Sequence, residues 1–290
     1  MANDQAKRLV AKRKIDFATL AGLVMAVGGI LGGLILEGGR FSDVAQYTAA
    51  LIVGAGTAGA VMVTTPHALL LSALRRLKDV LWDPAPPRVA LMEQLLHFAR
   101  QARRSGIVSL EDQANDLTGD PFLKKALMLA VDGTDLQDLR RIMELEIEAT
   151  ARRGEAEAKV FETAGGYAPT IGIIGAVLGL IQVMKHLEDM ERVGHGIATA
   201  FVATVYGVAL ANLVLLPAGA KIKARLEQAL EDKELILEGV IGIAEGMNPK
   251  LLESKLDAFL EDETPLSAAG KSGTAETAAK EAVKQPVTAL

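Results

Sequence analysis

Four stretches of this chain contain no Asp, Glu, Lys or Arg, and each is long enough to cross a lipid bilayer as a helix. They cover residues 17–36, 44–74, 163–184 and 193–220. A bilayer core of roughly 30 Å needs about 20 helical residues. The pattern predicts an all-α, polytopic membrane protein with four transmembrane helices and a large helical cytoplasmic domain.

The composition supports a membrane protein and excludes several function classes. Half of the residues are hydrophobic but only 4% are aromatic, which is typical of small-residue helix packing in lipid. The formal charge of −5 gives no basic field for nucleic acid. The chain has no cysteine and no cluster of nucleophile, base and metal ligands. We therefore expect no enzyme activity, no cofactor and no metal site.

The distribution of Lys and Arg predicts which span ends face the cytoplasm. The two short links between paired spans carry only Arg40 in the first and Lys185 with Arg192 in the second. The flanks before the first span, after the second, before the third and after the fourth each carry three or more basic residues. Since basic residues concentrate in cytoplasmic loops, we expect both termini and the central loop to be cytoplasmic.

The polar segment between the second and third spans is predicted to be helical. Asp120 and the following proline form an N-terminal cap, and Ser109 with an acid three residues later predicts the start of a short helix. Thr134 with Gln137 predicts a capping box for a long helix that continues into the third span. After the fourth span, a charged helix is predicted over 221–245 and another over 251–260.

These features divide the chain into six segments. They are a cytoplasmic N-terminus (1–14), a transmembrane hairpin (15–74), a cytoplasmic helical loop (75–162), a second transmembrane hairpin (163–220), cytoplasmic C-terminal helices (221–263) and a disordered tail (264–290). The tail is rich in Ala, Ser, Thr, Gly and Lys without periodicity, a composition that cannot bury a core.

The predicted spans carry no ionisable side chain at their centres. A chain that relayed protons alone would need its own carboxylate, as pumps have. Either this chain conducts nothing, or the carboxylate comes from another chain. Among the hydroxyls at depth, that of Thr204 is expected to bond to the carbonyl one turn earlier.

Glycines and prolines distinguish the third and fourth spans. Gly175 and Gly179 form a G-x-x-x-G pair, which lets another helix approach closely. Pro169 and Pro217 are expected at a similar depth near the cytoplasmic side, where each removes a backbone hydrogen bond. They predict either two simple kinks or a matched pair of hinges.

The sequence RRSGIVSLE at residues 103–111 resembles the loop of motility protein A (MotA), the larger stator subunit of the bacterial flagellar motor. VDGTD at 131–135, AFVATVYG at 200–207 and EGMNP at 245–249 are further matches, and the two membrane prolines also coincide. The resemblance covers residues 15–262. It implies a multi-pass protein of the bacterial inner membrane.

The resemblance also implies partners and site residues. MotA-like chains form a ring of five around two copies of motility protein B (MotB), whose membrane helix supplies an aspartate. Arg103, Arg104 and Glu111 match the family's charged positions, which contact a rotor switch-complex protein. From the residues alone, these three would be a solvated charged face.

The resemblance places Ala176 and Thr204 on the ion pathway, and Ala176 indicates the coupling ion. Sodium-using relatives carry a threonine where this chain has Ala176, while they keep the one that matches Thr204. The resemblance therefore implies proton coupling. The alternatives are an ExbB/TolQ-like energiser of envelope transport, whose chains have three spans, and a non-conducting helical membrane scaffold.

Overall fold

Helices account for almost all of the described chain. The computed structural model describes residues 14–83, 88–117 and 119–261. The α-helices there are α1 (Phe17–Leu36), α2 (Phe41–Val44), α3 (Tyr47–Thr64), α4 (His67–Leu81), α5 (Arg88–Ser105), α6 (Glu111–Asp116), α7 (Pro121–Val131), α8 (Leu136–Lys185), α9 (Met190–Ala209), α10 (Leu216–Ala244), α11 (Pro249–Leu256) and α12 (Ala258–Glu261). A 3₁₀ helix covers Ile107–Leu110 and a π-helix covers Leu210–Leu215. The one ladder in these residues pairs β1 (Lys14–Ile15) with β2 (Trp82–Asp83), so the all-α class is confirmed.

The chain divides into two compact units. Of the described residues, the first unit, here called the membrane unit, comprises 14–83 and 146–230. The second, here called the charged unit, comprises 88–117, 119–145 and 231–261. The division falls inside two helices, after residue 145 in α8 and after residue 230 in α10.

Within the described part of the chain, four helices are long and apolar enough to cross a membrane, as the sequence predicts. They are α1, α3, α8 and the continuous helix Met190–Ala244, which comprises α9, the π-helix and α10. Asp16 caps α1 by accepting a hydrogen bond from the Thr19 N–H at 3.2 Å. No side chain of α1 is buried, as expected of a helix that faces lipid.

The second span is shorter than its uncharged stretch. α3 ends at Thr64, and Thr65 has an extended backbone with φ −123° and ψ 129°. Pro66 follows, and a residue before proline is biased toward extended conformations. A separate helix, α4, then begins at His67, so this stretch supplies one span of 18 residues.

Two clusters of buried apolar residues hold the membrane unit together. In the first, Ala49 and Val53 of α3 pack with Val202 and Ala203 of α9. The second joins α3, α4, α8 and α10, and its buried members include Val61, Ala73, Ala158, Phe161, Ala218 and Ile222. Most members are Ala or Val, which allows the close approach that stabilises helix pairs in lipid.

The charged unit has a core of large aliphatic side chains. Those at most 1% exposed include Leu95, Leu123, Leu127, Leu139, Met143, Leu235, Val240 and Leu252. Their burial removes apolar surface from water, which is the main stabilising contribution in a soluble fold. This unit is therefore packed as a water-soluble domain would be.

Ion pairs add connections to that core, and one arginine among them is buried. Arg88 is 6% exposed; it pairs with Glu231, and its Nε lies 2.8 Å from a carboxylate oxygen of Asp232. The half-buried Arg140 of α8 lies 2.7 Å from Glu238 of α10. Leaving a buried arginine without a carboxylate is costly, so the pairs of Arg88 determine how α5 meets α10.

The predicted helix ends are partly right. Asp120 caps α7 as predicted, accepting from two N–H groups at 2.9 and 3.2 Å. Ser109 does not cap the short helix, because its hydroxyl donates to the Gly106 carbonyl inside the 3₁₀ turn. Asp135, not Thr134, caps α8 by accepting from the Gln137 N–H at 2.9 Å.

The long helix agrees with its prediction, whereas the last C-terminal helix does not. α8 runs without interruption for 50 residues, so its predicted continuation into the third span is confirmed. The single helix predicted over 251–260 is wrong: α11 ends at Leu256 and α12 follows. Asn248 caps α11, with Pro249 at its first position. The tail predicted over 264–290 lies outside the described residues.

Candidate functional site

Glycines form the contact between the third and fourth spans. An added Cβ on Gly179 would lie 2.8 Å from the carbonyl oxygen of Gly196 and 2.8 Å from the backbone nitrogen of Ala200. On Gly172 it would lie 2.9 Å from the Ala203 carbonyl oxygen. A side chain at these places would meet backbone, which cannot rotate away. The predicted close approach is confirmed, and the partner helix is α9 of the same chain.

The two membrane prolines lie at different levels. Gly207 of α9 is beside Pro169, since a Cβ built on Gly207 would lie 3.2 Å from the Pro169 Cα. Pro217 is ten residues beyond Gly207 in sequence, about 15 Å along a helix that rises 1.5 Å per residue. Gly219, two residues after Pro217, lies beside Ala158, since a Cβ built on Gly219 would lie 3.3 Å from the Ala158 carbonyl oxygen. Pro217 is therefore more than one helical turn from the level of Pro169. The expectation of similar depth is therefore wrong, because the two helices are offset along their lengths.

The helices accommodate the two prolines differently. Pro169 lies inside α8, which continues on both sides of it. Pro217 follows the π-helix, where the Leu216 N–H bonds to the Ala211 carbonyl, one residue further back than in an α-helix. A proline ring clashes with the carbonyl four residues earlier, and a wide turn at this point relieves that clash.

The two residues predicted to determine the coupling ion, Ala176 and Thr204, lie on neighbouring helices. The Thr204 hydroxyl donates to the Ala200 carbonyl at 3.2 Å, which confirms the expected bond one turn back. Thr204 packs on Gly172, with its Cα 3.4 Å from the position of an added Cβ. Ala176, also half-buried, follows Gly175 on α8, one turn away. The structure thus places both residues on the neighbouring α8 and α9 helices.

Tyr206 makes a polar contact that the sequence alone did not assign. Its hydroxyl donates to the Val44 carbonyl at 2.5 Å and accepts from the Gln46 N–H at 3.3 Å. Val44 ends α2 and Gln46 precedes α3, and the Gln46 N–H also donates to the Val44 carbonyl at 3.2 Å. One hydroxyl therefore fastens the link of the first hairpin to the fourth span. A tyrosine among Thr and Asn in a span was the available signal, but its partner is 160 residues away.

Asp16 holds the start of the first span against α10. Besides capping α1, its carboxylate pairs with Lys221 and lies 3.3 Å from Arg225. The hydrogen bond from Lys221 and that from the Thr19 N–H favour the ionised carboxylate, so the pKa of Asp16 is lowered to about 2. Sequence reasoning used these cations only to orient the spans.

The three residues predicted to contact a rotor lie in the charged unit. Arg103 and Arg104 end α5, and Glu111 begins α6 after the 3₁₀ turn. All three are exposed, and within residues 14–83, 88–117 and 119–261 none of them forms an ion pair. An exposed charge without an internal partner is free to interact with another protein.

A glutamine pair that sequence reasoning missed fixes this charged face. The Gln101 side chain donates to the Ser109 carbonyl at 3.0 Å, and Gln113 donates to the Gln101 side-chain oxygen at 2.7 Å. Gly106, with φ +82°, makes the turn between them. The network joins α5, the 3₁₀ turn and α6. Side-chain hydrogen bonds therefore hold in place the turn that carries the exposed charges.

The comparisons with known proteins agree with this arrangement. Residues 114–235 match the model of the MotA/TolQ/ExbB proton channel family. Motility protein A of Bacillus subtilis is 35% identical over 247 residues, which is 85% of this chain and 91% of that protein. The chain belongs to the motility protein A family. The prediction made from RRSGIVSLE is thus confirmed at the level of the family.

Solved structures of the same kind share the fold. A structure of C. jejuni MotAB matches with a TM-score of 0.81 at 35% identity, covering 87% of this chain and 98% of that one. The flagellar MotAB stator complex from Bacillus subtilis matches with a TM-score of 0.78 at 34% identity, covering 86% and 99%. These relatives are named for motility and not for an enzyme activity, and their family is one of membrane proteins.

Proposed function

We propose that this chain is a flagellar stator subunit that forms a proton channel with a MotB-like partner and turns proton flow into torque. One observation carries the proposal: α8 and α9 pack through glycines and bring no carboxylate into the membrane. A pore lined by such helices needs an ionisable group from elsewhere. The MotAB structures support a partner that supplies it.

The proposed ion is the proton. Ala176 offers no hydroxyl, so one oxygen that could bind sodium is missing, while the Thr204 hydroxyl donates to the Ala200 carbonyl and keeps its lone pairs. A dehydrated sodium ion needs several oxygen ligands, whereas a proton needs a titratable group and water. These two positions therefore favour protons over sodium.

Torque would reach the rotor through Arg103, Arg104 and Glu111. Their exposure, and their lack of ion pairs in the described chain, support a contact with a charged rotor switch-complex protein. Charge complementarity speeds encounter more than it increases lasting affinity, which suits a contact made and released at each step.

The assembly and its moving parts complete the proposal. We infer five copies of this chain around two MotB-like chains in the inner membrane, with both termini and the charged unit in the cytoplasm. Pro169 and Pro217 would act as hinges. Because α8 and α10 each continue from the membrane unit into the charged unit, bending at either proline could be transmitted along a continuous helix.

The test is swimming in a flagellated strain that lacks its own stators and receives this chain with its cognate MotB-like protein. We expect swimming that stops with a protonophore and persists without sodium. Swimming that survives the protonophore but needs sodium would contradict proton coupling. Cells that stay paralysed although the complex assembles would contradict the stator role and favour ExbB/TolQ-like work.

Variants at the proposed sites sharpen that test. Arg103→Glu should abolish swimming while the complex still assembles, because the charge at the rotor contact is reversed. Pro169→Ala and Pro217→Ala should each reduce torque with assembly unchanged. A non-conducting scaffold predicts no effect from either proline change.

A further inference from the structure

The charged unit contains a pocket between the two family motifs RRSGIVSLE and EGMNP. Its volume is about 240 Å³. Its lining residues are Ala99, Ala102, Arg103, Ile107, Ile243, Ala244, Gly246 and Met247. The second motif, at 245–249, has no role in the proposed charge contact, yet it supplies Gly246 and Met247 to the lining.

Two glycine turns shape the mouth of this pocket. Gly106 (φ +82°) ends α5 and leads to Ile107, and Gly246 (φ +68°) ends α10 and leads to Met247. Residues with a Cβ rarely adopt these backbone angles. Both helices therefore stop at the pocket, and each turn presents one large apolar side chain beside it.

Small residues keep the pocket open. Ala99 and Ala102 of α5 and Ala244 of α10 contribute only methyl groups to its lining. The volume is below the range of about 300–1,000 Å³ that is typical of small-molecule sites. It is the size of site that accepts one anchoring side chain at a protein interface.

The charge at the pocket identifies the class of occupant. Arg103 is exposed and belongs to the lining, with Arg104 next in the chain. An apolar side chain entering here would therefore be well matched if a carboxylate lay beside it on the same helix. The thioether side chain of Met247 can adapt to a passing apolar group, which suits a contact that forms and releases repeatedly.

We propose that this pocket receives a large apolar side chain from an acidic helix of the rotor protein, next to the charge contact at Arg103. This inference rests on the proposed rotor function. It adds an apolar, salt-insensitive contribution to the binding of the rotor protein. The charge contact would guide the rotor helix, and the apolar anchor would transmit force while the contact lasts.

The test compares two leucine substitutions on one helix. Ala102→Leu fills the pocket, whereas Ala90→Leu changes an alanine on α5 that is also half-buried but lies outside the lining. The complex of full-length chain and its MotB-like partner, in lipid nanodiscs, is titrated with the purified rotor switch-complex protein of the same bacterium. Titrations run at low salt and at about 0.5 M NaCl, where the Debye length is roughly 4 Å.

We expect binding to weaken at high salt without disappearing. Ala102→Leu should weaken the remaining binding about tenfold or more, as expected from losing one buried aliphatic side chain. Ala90→Leu should bind like the unmodified chain, and Arg103→Ala should weaken mainly the low-salt binding. Ala244→Leu, which changes a lining residue of α10, should reproduce the Ala102→Leu result, and an unchanged melting temperature for either variant shows that it is folded.

Three outcomes would overturn the inference, and they are distinguishable. If Arg103→Ala weakens binding and neither leucine variant does, the pocket is not used while the rotor contact stands. If none of the three changes binding, the proposed rotor contact itself is wrong at this surface. If Ala102→Leu alters the oligomeric state, or deletion of 264–290 tightens rotor binding, the occupant is a second copy or the chain's own tail.

Discussion

Helices pack against each other through different residues in the membrane unit and in the charged unit. In the membrane unit, helices meet where side chains are missing: a Cβ on Gly207 would lie 2.5 Å from the Ala168 carbonyl oxygen. In the charged unit, helices meet through large aliphatic side chains, and Arg88 is buried between two carboxylates. The membrane unit has no room for added atoms at its helix contacts, and the charged unit depends on a buried charge.

The difference follows from the solvent each unit is built for. In lipid, apolar side chains gain little by leaving the tails, so helices associate through close backbone contact. In water, burial of aliphatic surface supplies most of the stabilisation, and the ion pairs of the buried Arg88 with Glu231 and Asp232 specify how α5 meets α10. Changes of size should therefore affect the membrane unit most, and changes of charge the charged unit.

The largest expected effect is that of Gly207→Leu. The new side chain would strike the backbone of α8 at Ala168 and Pro169, and overpacking against atoms that cannot move costs about 3 kcal/mol or more. We expect little folded protein in detergent extracts, measured by fluorescence-detected gel filtration, and a lowered melting temperature. Gly54→Leu is the control, because nothing lies within 4 Å of a Cβ at that exposed glycine. Equal losses from both variants would contradict the close-packing explanation.

A smaller loss is expected from Arg88→Ala. The change leaves Glu231 and Asp232 without their shared cation and releases the Phe259 carbonyl. The partners are partly exposed, so we expect about 2–3 kcal/mol, below the full cost of breaking a buried pair. Thermal unfolding of the purified complex measures it. Arg104→Ala, at an exposed arginine, should stay within about 0.5 kcal/mol; an equal effect there would argue against the buried pair.

Two substitutions of Asp16 distinguish the contribution of its capping hydrogen bond from that of its ion pair. Asn also caps helices well, so Asp16→Asn keeps the cap and removes the ion pair, whereas Asp16→Ala removes both. We expect Ala to destabilise more than Asn, by about 1 kcal/mol.

The pH dependence of the Asp16 contribution has a defined sign. The folded pKa of about 2 lies below the ordinary value of 3.8, so the ionised carboxylate stabilises the fold above that ordinary value. This contribution is lost as pH falls from 3.8 toward 2. The melting temperatures of Asp16→Asn and the unmodified chain should differ constantly near neutral pH and converge below about pH 4. A gap that closes at neutral pH instead would show that another group is responsible.

The smallest effect is expected from Thr204→Val. The lost hydrogen bond to Ala200 lies within one helix, and even bonds between membrane helices contribute only about 0.6 kcal/mol on average. Stability should change little, and swimming should still depend on protons. Paralysis with normal assembly would mean that the ion itself needs this hydroxyl oxygen, as sodium would, and it would argue against proton coupling.

Much of this architecture could be predicted because it depends on local pattern. Charge-free stretches identify spans, and Asp120 before a proline identifies a helix start. Where two signals compete, the sequence was misleading: Thr134 and Asp135 are both good caps, and only the backbone path decides between them. The Tyr206 link and the Gln101 brace involve groups brought together by folding, so no local pattern contains them. The prolines were misplaced in depth because span boundaries do not reveal how far helices slide past each other.

The π-helix at Leu210–Leu215 determines how the helix responds to a change in the number of residues in this stretch. A wide turn holds one residue more than an α-turn, so it accommodates an extra residue without changing the rotational phase between α9 and α10. Deleting one residue there would let the helix close into regular α geometry, and α10 would keep its phase. A deletion in the regular helix before Ala218 would instead rotate everything after it by roughly 100°, the angle per residue of an α-helix. Ala218 and Ile222 would then leave the core that they share with α8. Related chains that keep this core should therefore tolerate the loss of one residue in this segment and nowhere else in the helix.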